Sequence, residues 1–415
     1  MVTPAVTTTA AGTTTTSAAP IKLGSMVPLT GGDASNGREM HRGLKLAVDE
    51  INAQGGLLGR PVELTELDTA DMSSIVTLQC VDTLATKYNV DFVTYGYGAT
   101  YTAAYEEFAK YELPFLQNDT CQEFADWVNN NPSNNWMGWM ATTPEHFYGS
   151  GFRVVLDQIM ASGAWKPKTK TVAVIRGEDS YGQRIASSFI DEIKKEGWSV
   201  TLDETASFGT VEYGPYLTKL RANPPDLLFT TIWVSSDYAA FCKQFFQDPT
   251  PSLMYGQWAP SAPEFISLLG DKANGIIWST INGPLTRSGA SYQDPICQTF
   301  YNKYKALYPD TEPGDQAFLS YDNGWQWATA TMIAGTTDKK AVCQALSNDL
   351  RVYRGTTGSY RYNKEHWADI YPDEQRDVSI GIAHQHLQIR NGKHQLISPP
   401  PYASTQFELP WWIKQ

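Results

Sequence analysis

With 415 residues the chain is long enough for two or more domains of ordinary size, and its 42% apolar content can bury substantial cores. A formal net charge of −12, with no basic block anywhere, disfavours nucleic acid and anionic membrane as partners. The 13 Trp and 22 Tyr supply flat, amphipathic side chains, most of them for packing and some of the kind that line ligand clefts.

Met1 to Pro20 is rich in Thr and Ala and has no apolar core. It reads as a flexible tether rather than a signal peptide or a membrane span. Ile21 to Val27 is a strand. The run Gly43-Leu-Lys-Leu-Ala-Val-Asp-Glu-Ile-Asn52 places Leu44, Ala47, Val48 and Ile51 on one helical face, and Gly55-Gly56 then supplies a left-handed stop. After Gly59-Arg60-Pro61 the alternation of Val62 to Leu67 is a second strand, so the opening unit is a parallel, right-handed strand, helix, strand.

Asp71 to Tyr88 continues as a helix, and Val90 to Tyr95 is a buried strand followed at once by Gly96-Tyr-Gly-Ala-Thr-Tyr-Thr102, which opens a helix from Ala103 to Tyr111. Leu113 to Gln117 is a short strand ending in Asn118-Asp-Thr-Cys121. Adjacent strands thus deliver two polar loops to one edge of the sheet, where open α/β sheets bind ligands. The segment beyond Asp119, through Trp127 and Trp136 to Trp139, reads as a long irregular loop. A new series starts after Ala141 to Pro144, with helix, strand Thr171 to Ile175, helix Tyr181 to Glu196, strand Val200 to Leu202, helix Tyr213 to Ala222 and strand Asp226 to Ile232. The helix Ser236 to Phe246 and the strand Leu253 to Tyr255 follow. Asp294 to Tyr308, Ala317 to Ile333 and Ala341 to Leu350 are further helices.

Catalytic and metal readings find little support. His384 and His386 share one face of a strand with no Cys or acidic cluster beside them, and HExxH, GxSxG, GxGxxG and GxxxxGK[ST] are all absent. Asp49-Glu50, Glu106-Glu107 and Asp191-Glu192 fall on solvated helix faces. Cys80, Cys121, Cys242, Cys297 and Cys343 form no CxxC, which argues against zinc. Cys80 with Cys121, and Cys297 with Cys343, are open as disulfides or as buried thiols.

Ile21 to Gly32, Gly43 to Asn52, Gly55-Gly56, Gly59 and Asp68 together resemble the opening of the type I periplasmic binding proteins, in particular their leucine/isoleucine/valine-binding branch. The resemblance extends to about Ile397. It implies an α/β fold of two doubly wound parallel-sheet lobes joined by a three-strand hinge. Lobe 1 is expected at 21–142 and 278–355, lobe 2 at 143–277 and 356–397, and a surface-packed tail at 398–415. The second and third crossings are expected at Gly275 to Thr280 and Thr357 to Asn363, with Val378 to Arg390 adding strand to lobe 2.

The same resemblance implies a non-enzymatic, cofactor-free, monomeric receptor that closes around a small molecule and presents it to the membrane permease of an ABC importer. It would work in the periplasm or as a lipoprotein on the outer face of the cytoplasmic membrane. A ligand-sensing regulator on the same fold is the alternative. Carried over by position, the site comprises Thr100, with Tyr101 beside it, and Asn118, Asp119 and Thr120 for a ligand carboxylate. Tyr181, in Asp179-Ser-Tyr-Gly182, and Trp233 match two aromatic positions, while Asn36 stands where the family often has an aromatic residue. In amino-acid-binding members an acid after the strand corresponding to Leu253 to Tyr255 pairs with the ligand ammonium. Here Gln257 or Trp258 takes that place, so a simple aliphatic α-amino acid is not expected. An aromatic or flat carboxylate or carbonyl compound between Tyr181, Trp233 and Trp258 is favoured. The alternatives are an amide or urea-like solute on Gln257 and Asn118, or an amino acid whose ammonium meets Asp119.

Overall fold

The computed structural model describes residues 19–98, 101–262, 264–281, 283–284, 294–371 and 381–414. Thr100, expected at the site, therefore lies outside the described residues, as do the first 18 residues of the expected tether.

The first lobe begins with β1 (Ile21–Val27), α1 (Ala34–Ala53), β2 (Val62–Asp68), α2 (Ser74–Thr83) and β3 (Phe92–Tyr95). It continues with α3 (Tyr101–Lys110), β4 (Phe115–Gln117), α4 (Gln122–Asn130) and β5 (Gly138–Met140). The five strands form one parallel sheet in the order β2-β1-β3-β4-β5. Leu44, Ala47, Val48 and Ile51 of α1 are all buried, as their spacing requires.

The stretch expected to be irregular is corrected by α4 and β5. Phe124, Trp127 and Val128 lie at i, i+3 and i+4 and are buried, Trp127 against Tyr105 and Phe115. The Asn-rich run around Asn129–Asn131 obscured this pattern. Trp127 donates from Nε1 to Glu106 Oε1 at 3.0 Å, so it seals the base of its own lobe and stands apart from the cleft.

The second lobe is built from α5 (His146–Ser162), β6 (Thr171–Gly177), α6 (Ser180–Lys195), β7 (Ser199–Ala206), α7 (Gly214–Ala222), β8 (Leu227–Thr230), α8 (Ser235–Phe245), β9 (Leu253–Gly256), α9 (Phe265–Leu269) and β10 (Ile277–Thr280). The chain then runs through α10 (Pro295–Leu307), α11 (Asp315–Ala334) and α12 (Lys339–Gln344). Next come the short strands β11 (Tyr353–Arg354), β12 (Ser359–Tyr360), β13 (Ile370–Tyr371) and β14 (Ile382–Ala383), and finally β15 (Gln385–Arg390) and β16 (Lys393–Ser398). The larger sheet has the order β16-β15-β10-β9-β8-β6-β7. Its β6 to β10 core is parallel, and β15 and β16 add antiparallel.

Two expected boundaries move. Ile277 pairs with Tyr255 and Ile277–Thr280 pairs with Gln385–Gln388, so β10 belongs to the larger sheet and the return crossing lies beyond Thr280, not at 278. All four residues of β10 are buried, and pairing on both sides satisfies backbone groups that have no access to water. The third crossing also comes later than Thr357 to Asn363. Asp322 of α11 holds the N–H groups of Thr356 and Thr357, and Ala368 donates to Met140 and Thr142, so the chain stays on the first lobe until at least Ala368.

α1 and α11 pack face to face across the outside of the first sheet. At Gly43 a Cβ would lie 2.0 Å from the carbonyl oxygen of Ala317, so only glycine permits this approach. All five cysteines are buried free thiols, which settles the open question of pairing. Beyond β16, Trp412 is buried against Phe245 and Phe246 and donates to the Ser252 carbonyl at 2.9 Å. The tail therefore closes the bottom of the second lobe.

Candidate ligand-binding site

The carboxyl ends of the parallel strands of both lobes face one another, and there the described residues enclose a cavity of about 60 Å³. Tyr97, Asn118, Asp119, Thr120 and Gln316 line it from the first lobe, and Tyr148, Asp179, Tyr181, Trp233 and Trp258 from the second. At about 10–15 Å³ per molecule it has room for roughly four to six waters. Contacts across the mouth among the described residues include Arg184 Nη2 to Glu123 Oε1 at 3.1 Å and Ser35 Oγ to Glu264 Oε1 at 3.2 Å.

The loop after β3 carries Tyr97 between two glycines. A Cβ on Gly98 would meet the Tyr95 hydroxyl at 2.1 Å, so this close turn admits no side chain there. The Tyr97 hydroxyl faces Asp33 without a hydrogen bond of good geometry, and its oxygen and Asp33 Oδ2 are both buried. Burial pushes the Asp33 carboxyl up to about 6.

The loop after β4 supplies Asn118, Asp119 and Thr120. Asn118 lines the cavity, but its amide is fully committed to α11. Its Nδ2 donates to Gln316 Oε1 at 2.9 Å and to Ser320 Oγ at 2.8 Å, while its Oδ1 accepts from Asn323 Nδ2 at 2.6 Å. This amide thus positions the loop, with both N–H groups taken and one bond already accepted by Oδ1. Asp119 is buried, with Oδ2 accepting from Gly98 N at 3.3 Å and Oδ1 from Thr120 N at 3.2 Å. Burial, reinforced by Glu123 and Glu145, holds its carboxyl well above the usual carboxylate range.

In the second lobe Asp179 caps α6, accepting from Gly182 N at 2.6 Å through Oδ1 and from Trp233 Nε1 through Oδ2. The cap and the indole orientation are therefore one unit. Tyr181 accepts from Gln257 Nε2 at 2.8 Å, and Gln257 Oε1 accepts from Tyr255 and from Ser279 Oγ, the latter at 3.3 Å. Gln257 is fully buried behind Tyr181 and is not among the cavity-lining residues, so its amide orients the tyrosine.

Trp258 has φ +60° and ψ −49°, and the N–H of Ala259 bonds back to the Gln257 carbonyl at 2.6 Å. That is a γ-turn with positive φ, a conformation costing on the order of 1–3 kcal/mol in a bulky residue. Trp258 is nonetheless buried, and it belongs to none of the apolar core clusters among the described residues. Its ring lines the cavity rather than a core.

Of the residues expected from sequence, Asn118, Asp119, Thr120, Tyr181, Trp233 and Trp258 come together on the cavity. Gln257 stands one shell behind, and Tyr101 opens α3. Asn36 donates to Asp33 Oδ1 at 2.8 Å and supports that buried carboxyl. Sequence reasoning missed Tyr97, Tyr148, Asp179 and Gln316. Tyr97 and Asp179 lay inside motifs already singled out, whereas Tyr148 and Gln316 sit on helices where nothing local distinguishes them from packing residues.

Tyr181 is tied into a buried network, so its deletion and its conservative change should differ. Tyr181→Phe removes only the hydroxyl that accepts from Gln257 Nε2 and should cost apo stability about 1–3 kcal/mol, and Tyr181→Ala should cost more because the ring is lost as well. Urea unfolding of both variants without ligand checks this; no loss in Tyr181→Phe would show that the hydroxyl contact is unimportant.

Glu145 lies beside the mouth, buried, with Oε2 accepting from Gln122 N at 2.5 Å and Arg184 Nε 3.4 Å from Oε1. Burial pushes its carboxyl up to about 8, against the Arg184 charge. Raised in the folded state, this group contributes stability that is complete below about 4.5 and lost as pH rises through about 8. His384 runs the other way: burial lowers it to about 3, so stability is lost as pH falls below about 6.5. Glu145→Gln should therefore flatten the loss of thermal stability between about pH 5 and 8 and leave the acid limb in place. Unchanged alkaline slopes by calorimetry would contradict the assignment.

Two parallel-sheet lobes with a cavity between their strand ends define a protein of the hinged, two-lobed class. The comparisons with known proteins agree. The family model described as periplasmic binding protein matches residues 20–368, and the chain belongs to that family. A relative named Leu/Ile/Val-binding protein homolog 8, from Brucella abortus (strain 2308), is 27% identical over 228 residues, covering 54% of this chain and 55% of its own. The chain thus spans about half the length of that curated relative. Among solved structures, a protein from Silicibacter pomeroyi, provisionally described as a branched-chain amino acid ABC transporter, is 32% identical with a TM-score of 0.86, covering 95% of this chain and all of its own. A solute-binding protein from R. palustris, solved with benzoate, is 16% identical with a TM-score of 0.72, covering 91% of this chain and 96% of its own. The chain is therefore a periplasmic binding protein with the type I two-lobed fold. No helix among the described residues is long and apolar enough to cross a membrane, and none of them form a group of three or more metal-ligating side chains.

Proposed function

We propose that the protein is a non-enzymatic receptor that encloses a small organic solute between its lobes and hands it to the permease of an ABC importer on the outer side of the cytoplasmic membrane. The observation that carries this reading is the cavity at the strand ends, built from both lobes and walled by Tyr97, Tyr148, Tyr181, Trp233 and Trp258. A ligand touching both walls binds the closed form better than the open one and so stabilises closure by that difference. The aromatic walls favour a flat or compact apolar body, with Thr120 holding a polar end. An amide or urea-like solute held by Asn118 and Gln257 is disfavoured, because both N–H groups of Asn118 are bonded within the protein and Gln257 is not among the cavity-lining residues. A thermal-shift screen of amino acids, aromatic acids, amines and small amides tests the reading. Stabilisation by one chemical class is expected; absence of any response from a folded sample would count against a small-solute receptor.

A further inference from the structure

Resting on this receptor reading, we propose that the solute carries a cationic nitrogen, a primary amine or an N-methylated ammonium, and that Asp119 is its counter-ion inside an aromatic cage. The cavity lining holds two carboxylates, Asp119 and Asp179, five aromatic rings, and no lysine or arginine among the described residues. The two acids differ in what they have left to offer. Each oxygen of Asp179 is taken, one by Gly182 N and one by the Trp233 indole. Among the described residues the Asp119 carboxylate accepts two long bonds, at 3.3 and 3.2 Å, which leaves it acceptor capacity at the cavity it lines.

Among the described residues no cation pairs with Asp119. Arg184 is directed to Glu123 and Glu145 instead. A buried carboxylate without a positive partner is costly, and a ligand ammonium supplies that partner only in the closed complex. The walls point the same way, because indole and phenol faces attract cations, most strongly when desolvated. An anionic solute without an amine would instead face two acids and no compensating side chain. The ammonium partner absent from the loop after β9, where Gln257 and Trp258 stand, is thus provided from the opposite lobe by Asp119.

Titration calorimetry on the full chain with solutes matched in shape tests this. The pairs are glycine betaine against dimethylbutyrate, valine against isovalerate, and benzylamine against benzyl alcohol. In pairs that bind, the cationic member should be tighter by about tenfold or more, and Asp119→Asn should shrink that preference to within about threefold. Equal or tighter binding of the nitrogen-free partner overturns the proposal, as does a full preference retained in Asp119→Asn. The wild-type pairs decide the matter alone should that variant not fold. Binding of benzoate or another acid with none of the amines would reject the cation while leaving the receptor reading intact, whereas no binding of any solute rejects both.

Discussion

Replacing Asp322 by Ala is expected to destabilise the protein by about 3–5 kcal/mol and to lower the melting temperature by roughly 10 °C. This carboxylate is fully buried on α11 and accepts from Thr356 N at 2.8 Å, Thr357 N at 3.1 Å and the Tyr360 hydroxyl at 2.8 Å. It holds the segment from Thr356 to Tyr360 against the first lobe, and burial pushes its carboxyl up to about 6. Truncation strands three donors in an apolar setting, each costing about 1–3 kcal/mol. Asp322→Asn keeps an acceptor and should lose markedly less. A calorimetric loss under about 1 kcal/mol for Asp322→Ala would mean that the segment finds other partners and that Asp322 does not anchor it.

The second large effect is on binding. Trp258→Ala should weaken whatever solute the thermal-shift screen identifies by about 2–4 kcal/mol, the range for a buried aromatic at the centre of an interface. Its effect on apo stability should be smaller than for a core tryptophan such as Trp278 or Trp327, because Trp258 packs in no apolar cluster and sits in a strained γ-turn. The alanine keeps the unfavourable φ, so any loss of affinity reports the ring. Titration of the variant alongside Trp278→Ala separates the two roles; similar apo destabilisation in both would assign Trp258 to packing.

Much of the fold was legible because periodicity survives without tertiary context. The buried stripe of α1, its glycine stop and the alternation of β2 are local facts, and repetition of the same unit after Pro144 announced a second lobe. The misplacements arose where local signals conflict. The asparagines near 130 hid the apolar face of α4, and β10 is only four residues long, too short to show which sheet it joins. At the site, the sequence revealed which loops converge, since parallel strand ends must meet at the cleft. It did not reveal which polar groups remain free. Asn118 and Gln257 look alike in sequence to ligand contacts, yet Gln316, Ser320, Asn323 and Tyr181 consume their amides. Those partners lie 76 to 205 residues away along the chain, beyond any local pattern.

The central claim is that a solute draws the two lobes together over the cavity between Asp119 and Trp258. Small-angle X-ray scattering of the purified protein, with and without a saturating solute from the screen, tests it most directly. The account predicts one bound molecule per chain and a smaller radius of gyration on saturation, with the decrease abolished at the same solute concentration in Trp258→Ala. Saturable binding with an unchanged radius of gyration, in a protein that scatters as the open form throughout, would contradict it.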